Sequence, residues 1–145
     1  MPSGVFDTNV LASGFVRSNP AAAPAQLLDR WRAGEFILVL SEHILSELAA
    51  TLREPYFRRR LTSVEVNQDF SLLRRRATIV PITIQVEGVA THPEDDLVIA
   101  TALTAAADYL VTGDRKLQRL GTFQSVTILS PRDFVGVLRQ ARGAR

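Results

Sequence analysis

Short apolar runs alternate with helix-period stretches along most of the chain, and turn residues separate them. Val5-Phe6 is the first β-like run, and a helix is predicted from about Thr8 to Val16. Pro24 to Ala33 reads as a second helix, stopped by Gly34 where a left-handed cap favours glycine. Phe36-Ile37-Leu38-Val39-Leu40 is an unbroken apolar run, the pattern of a buried strand. Ser41 is a good N-cap for a helix running to about Arg53, before Pro55.

Thr62-Ser63-Val64-Glu65 has the form of a capping box. It opens a helix carrying Val66, Phe70 and Leu73. A β-like region around Ala77 to Val86 follows, interrupted by Pro81. His92-Pro93-Glu94 starts an Ala-rich helix to about Ala107. Tyr109 to Thr112 reads as a strand, Arg115 to Leu120 as a short helix, and Val126 to Leu129 as a strand. Ser130-Pro131 opens the last helix, with proline at the tolerated first position. Strands alternating with helices predict an α/β fold, a three-layer α/β/α sandwich with a mainly parallel central sheet. No repeat or low-complexity linker breaks the pattern, so one domain over residues 1–145 is expected.

Composition adds exclusions. Apolar residues make up 46% and charged residues 22%, a globular balance. A chain of this length buries roughly 68–70% of its unfolded surface, enough for a core without staples. There is no cysteine, which excludes a disulfide framework and a thiolate zinc site and fits a reducing cytoplasm. His43 and His92 are the only histidines, too few for a histidine-rich metal site. The uncharged stretch Leu97 to Ala107 is far shorter than the ~20 residues of a membrane span. Met-Pro-Ser-Gly lacks the basic and apolar regions of a secretory signal, so a cytoplasmic location is expected.

The net charge is only +2, but it is unevenly spread. Arg58-Arg59-Arg60 and Arg74-Arg75-Arg76 form tight runs, and the tail adds Arg139, Arg142 and Arg145. Each run reads either as a solvated helix surface or as a track for phosphates. The two runs flank one helix, which favours the track.

Candidate chemistry lies in Asp7, Glu47, Asp96 and Asp114, each beside an apolar element. A buried lone carboxylate is costly, and carboxylates converging without a basic partner usually hold a hard divalent metal. In parallel sheets functional groups gather beyond the carboxyl ends of the strands. Asp7 and Asp114 fall at two such ends, and Glu47 lies about two turns into the helix after another. Each also has a plainer reading. Asp7 in Asp-Thr-Asn can cap a helix, and Asn9 can serve as cap, ligand or supporting donor. Glu47 borders the Ile44, Leu45, Leu48 and Leu52 stripe and reads as a surface glutamate or, with His43 one turn earlier, as half of a pair. Asp114 can cap the next helix, with Thr112 orienting a ligand by a hydrogen bond. Asp96 shares a helix face with Ile99, Ala100 and Leu103, so it demands a partner. Its neighbours Glu94 and Asp95 sit at the helix N-terminus, where the helix dipole favours acids. No Gly-rich phosphate loop, serine elbow or cysteine nucleophile competes with this set.

In this order the residues resemble the PIN-domain nucleases over nearly the whole chain. The likeness runs through Val5-Phe6-Asp7-Thr8-Asn9-Val10-Leu11 and Ser41-Glu42-His43-Ile44-Leu45-Ser46-Glu47-Leu48. It continues through His92-Pro93-Glu94-Asp95-Asp96 and Val111-Thr112-Gly113-Asp114. The ending Ile128-Leu129-Ser130-Pro131-Arg132-Asp133-Phe134 is similar to one bacterial subgroup of toxin components related to VapC-like toxins. The resemblance implies a Mg²⁺- or Mn²⁺-dependent endoribonuclease. It maps the acidic quartet onto Asp7, Glu47, Asp96 and Asp114, and a supporting polar position onto Asn9. It also implies a homodimer and a small antitoxin that blocks the site. Tyr56, Phe57 and Leu61, beside Pro55, are candidates for that contact or for packing within the domain.

Two other readings stand beside this one. A haloacid-dehalogenase-like phosphatase also begins with an aspartate after a strand, but it wants a second acid where this chain has Asn9. A PIN fold that binds RNA or a protein without cutting is the other alternative.

Overall fold

The computed structural model describes residues 1–143, so Arg145 of the basic tail lies outside the described residues. In chain order the elements begin β1 (Ser3–Phe6), α1 (Thr8–Phe15), α2 (Ala23–Arg32), β2 (Ile37–Leu40), α3 (Glu42–Thr51), α4 (Pro55–Arg58) and α5 (Ser63–Arg76). They continue with β3 (Thr78–Ile79), α6 (Pro93–Thr104), β4 (Tyr109–Val111), α7 (Arg115–Gln118), β5 (Thr122–Phe123), β6 (Val126–Leu129) and α8 (Pro131–Gly143). The strands form one sheet in the order β3-β2-β1-β4-β6-β5. Every pairing is parallel except that of β5 with β6. Helices flank the sheet, the three-layer arrangement that the alternating pattern predicts.

Strand composition explains this placement. β1 is buried from Gly4 to Phe6 and β2 from Leu38 to Leu40, as expected of strands covered on both faces. Phe6, Phe36 and Phe134 pack as an aromatic trio with centroids 5.1–5.9 Å apart, tying α8 to the sheet. Tyr109 meets Phe134 from β4 at 5.3 Å. α1 packs tightly on α2 at Gly14, where an added Cβ would lie 2.8 Å from Leu28.

Caps set the element ends. The Thr62–Glu65 capping box is present at the start of α5. Gly34 has φ +80°, and Glu35 N–H returns to the Arg30 carbonyl at 3.0 Å, closing α2 as its glycine predicts. α6 stops earlier than its alanine content suggests. Ala106 takes φ +50°, and Ala107 N–H bonds the Ala102 carbonyl at 2.9 Å. Only Thr78–Ile79 of the β-like region 77–86 pairs with β2; Val80 N–H makes the last bond, to the Leu40 carbonyl at 2.9 Å, and there β2 ends as Ser41 caps α3. Sequence patterning does not reveal α4 or β5, which are too short to express a period. No helix among the described residues is long and apolar enough to cross a membrane.

Candidate active site

The in-register pairing of Phe6 with Val111 makes β1 and β4 end side by side. Asp7 and Thr112 therefore leave the sheet as neighbours. Asp7 caps α1: its Oδ1 accepts the Asn9 N–H at 2.9 Å. Its Oδ2 accepts the buried Thr112 hydroxyl at 2.6 Å. Thr112 Oγ1 in turn accepts the Asp114 N–H at 3.1 Å. Asp114 caps α7, its Oδ1 accepting the Lys116 N–H at 2.8 Å. The capping roles of both aspartates are thus present. Capping does not exhaust a carboxylate, which offers about four acceptor sites.

Glu47 is carried by α3, whose N-cap Ser41 accepts the Ile44 N–H at 3.4 Å. Ile44, Leu45 and Leu48 are buried and hold the helix, leaving Glu47 half-buried at the border of the stripe. His43 Nε2 lies 2.6 Å from Glu47 Oε1 and 3.2 Å from the Glu94 carbonyl oxygen. Burial pushes the Glu47 carboxyl up from its ordinary value; the carboxylates of Asp95, Glu94 and Asp7 push the same way, and His43 opposes them.

The acids on α6 are arranged differently from the sequence expectation. Asp96 does not line this cleft. It is buried, and Gly88 N–H and Ala90 N–H donate to its oxygens at 3.0 and 2.7 Å. An aspartate on the apolar face does need a partner, but the partner here is the backbone of the preceding loop. Asp96 borders a separate groove that Ile82, Ile84, Val86 and Leu97 help to line. Asp95 faces the cleft instead. Burial raises its carboxyl, and the charges of Asp7 and Asp114 raise it further. From sequence Asp95 reads only as a helix-dipole acid. Its first-turn position is compatible with that role as well.

The cleft has a volume of about 570 Å³. Asp7, Glu47, Glu54, Asp95 and Asp114 line it, with no lysine or arginine among the lining residues. Asn9 and His92 line it too. This hard-oxygen donor set with no basic counter-charge fits a Mg²⁺- or Mn²⁺-type ion. Among the described residues no three acidic or histidine side chains converge tightly enough to form a closed coordination sphere.

The two arginine runs are not equivalent. Arg74 makes a two-point pair with Glu42, at 3.0 and 3.1 Å. Arg76 donates to the Arg32 carbonyl at 3.3 Å and lies over Trp31, and Arg75 Nε donates to the Ser71 carbonyl at 3.4 Å. Arg60 stacks 3.7 Å over the Tyr56 ring. Arg58 and Arg59 are exposed, and their guanidinium groups make no ion pair among the described residues. Phe57 and Leu61 pack inward, with 7% and 8% exposure, whereas Tyr56 is 50% exposed.

Asp95, Glu54 and His92 are cleft residues that the sequence reading misses. One signal is available: His92, Asp95 and Val98 recur every three residues and line the cleft together. Following the apolar face leads to Asp96, whereas a ligand-binding group must face the space between elements.

A family profile described as PIN domain matches residues 4–116. A search of curated proteins returns no match. Among solved structures, the chain is similar to the crystal structure of VapBC2 from Rickettsia felis bound to a DNA fragment from their promoter. The TM-score is 0.57 at 17% identity, over 88% of this chain and 98% of that chain. The profile spans well over half of the sequence, and the parallel sheet and its flanking helices agree with it; the chain belongs to the PIN-domain family.

Proposed function

We propose that this protein is a metal-dependent endoribonuclease, the toxin of a toxin–antitoxin pair. The observation that carries the reading is the meeting of Asp7, Glu47, Asp95 and Asp114 around one open cleft at the strand ends. Membership in a family composed largely of divalent-metal nucleases supports it. The fold likeness to a chain of a VapBC2 complex supports a cognate antitoxin as partner. A homodimer and a cytoplasmic location complete the proposal.

Asp7, Asp95 and Asp114 would hold Mg²⁺ or Mn²⁺, with Glu47 closing the set. When bound, the divalent cation supplies Lewis-acid stabilisation of charge at the phosphoryl group. Thr112 and the Asn9 N–H fix the Asp7 carboxylate by hydrogen bonds to both oxygens. Burial and like charge raise the Glu47 and Asp95 carboxyls, a cost that a bound divalent cation would relieve. Products would carry 5′-phosphate and 3′-hydroxyl ends.

A second reading, a PIN fold that binds RNA without cutting it, draws on the lack of a closed acidic triad among the described residues. The test is cleavage of a pool of structured and single-stranded RNA with Mn²⁺, Mg²⁺ or EDTA, with Asp95→Asn alongside. Metal-dependent cutting abolished in the variant supports the nuclease. Binding without cutting by wild-type protein supports the second reading. Cutting that survives Asp95→Asn removes the assignment of the site.

A further inference from the structure

The acidic cleft poses a problem for a polyanionic substrate. Its carboxylates repel phosphate, so RNA needs a cationic or stacking anchor outside the cleft. The chain leaves the cleft directly into α4. Glu54 lines the cleft and is the N-cap of α4, and Tyr56 follows two residues later. A chain spans at most ~3.6 Å per residue, so the Cα atoms of Glu54 and Tyr56 lie within roughly 7 Å.

Tyr56 is the one aromatic side chain among the described residues that is largely exposed, at 50%. Arg60 lies 3.7 Å over the ring and donates through Nη1 to the Tyr56 carbonyl at 2.8 Å. Phe57 is buried and meets the Tyr56 ring at 78° with centroids 4.9 Å apart, anchoring it to the core. Arg58 and Arg59 stand exposed beside this stack, and the Arg58 N–H bonds the Glu54 carbonyl.

We propose that Tyr56 and Arg60 form a base-stacking platform for single-stranded RNA at the rim of the cleft, with Arg58 and Arg59 holding the flanking phosphates. The assignment rests on the RNA substrate proposed above. Unpaired bases stack on aromatic rings and on guanidinium planes, whereas bases in a duplex are already stacked on one another. A cation–π pair next to arginines that make no ion pair among the described residues matches that chemistry. A single half-exposed tyrosine is a poor match for a stable protein partner, which covers about 800 Å² on each side. In the second run Arg74 and Arg76 do not share this role, because they already contact Glu42, the Arg32 carbonyl and Trp31.

The experiment is fluorescence anisotropy of the full chain with a short single-stranded RNA and with a duplex of the same sequence, in EDTA at fixed salt. Tyr56→Ala should weaken single-strand binding by about tenfold and leave duplex binding unchanged. Tyr56→Phe should stay within about twofold of wild type, because it keeps the ring. Tyr56→Leu keeps bulk without the π face and should follow Tyr56→Ala; it replaces that variant if the alanine protein does not fold. Unchanged single-strand affinity in Tyr56→Leu overturns the platform and leaves the patch to a protein partner. Equal losses on duplex and single strand also overturn it, as does a wild-type protein that binds no RNA. If binding depends on the Tyr56 ring while wild-type protein never cuts RNA with metal, the platform stands and the nuclease reading falls. If Tyr56→Leu keeps its affinity and still cuts RNA with metal, the platform falls and the nuclease reading stands.

Discussion

Thr112 Oγ1 donates to Asp7 Oδ2 at 2.6 Å and accepts the Asp114 N–H at 3.1 Å, so one buried hydroxyl joins two acids that follow different strands. Thr112→Val keeps the shape and removes both bonds. Stability should fall by about 1–3 kcal/mol, because buried polar groups lose their partner. Activity should fall about 10–100-fold, the usual effect of losing a group that orients a metal ligand. Thermal melts and cleavage rates, with Thr112→Ser as the restoring variant, check this. A Thr112→Val protein with wild-type cleavage would remove the orienting role.

Neighbouring acids on α6 should behave oppositely. Asp95→Asn removes a charge from among Asp7 and Asp114, so metal-free protein should melt higher, by roughly 1–2 °C, while cleavage is lost. Asp96→Ala strips the Gly88 and Ala90 N–H groups of their acceptor and should cost about 1–3 kcal/mol. Parallel melts and RNA assays separate the two. Cleavage lost only through Asp96, with its fold intact, would return Asp96 to the site.

The raised carboxyls of Glu47 and Asp95 fix the sign of a pH effect. Groups raised in the folded state bind more protons there than in the unfolded state. Their contribution to stability is therefore present at low pH and declines as pH rises from the ordinary carboxylate range through the raised values. Metal-free protein should lose this contribution over that window. Asp95→Asn should flatten the loss, and Mg²⁺ at 100 times its Kd should add about 2.7 kcal/mol at neutral pH. Melting temperatures across pH, with and without Mg²⁺, measure both; no Mg²⁺ response would argue against a tight ion.

The two basic runs predict different salt responses. Replacing Arg58 and Arg59 with Ala should flatten the dependence of log K for RNA on log salt by ~0.7 per lost phosphate contact on a single strand. Arg74→Ala should leave the slope nearly unchanged, because Arg74 is paired with Glu42. Binding titrations at several salt concentrations decide. Equal slopes in all variants would mean that both runs are solvated surface.

Away from the cleft, Asp69 is buried and accepts Arg17 Nη2 at 2.8 and 3.0 Å and Arg32 Nη2 at 3.3 Å. This links the segment after α1 to α2 and α5. Asp69→Ala should cost about 1–3 kcal/mol without a direct effect on cleavage. Arg17 is half in water, which keeps the loss below that of a fully buried pair. Urea denaturation measures the loss.

Much of this architecture is legible in local pattern. The glycine after α2, the capping box of α5 and the apolar strands announce themselves in a few residues each. Asp7 and Asp114 are legible because they follow strands that must end at the same edge of the sheet. Asp96 illustrates the limit. The apolar period of α6 identifies which acid is buried, but whether metal or backbone satisfies that acid depends on the fold of the 80–90 loop. Likewise the spacing of arginines cannot reveal that Glu42, 32 residues away, occupies Arg74.

The bond from Thr112 to Asp7 spans 105 positions of sequence. Protein synthesis delivers Asp7 and Glu47 early and Asp95 and Asp114 late, and β1 waits for β4 to complete its edge. Translation at about 5–20 residues per second leaves an interval of seconds in which β1 has β2 on one side but not yet β4 on the other. A ribosome-bound fragment ending before residue 109 lacks β4 altogether and cannot assemble the cleft. The acidic cleft is therefore among the last features of the fold to be completed as the chain is made.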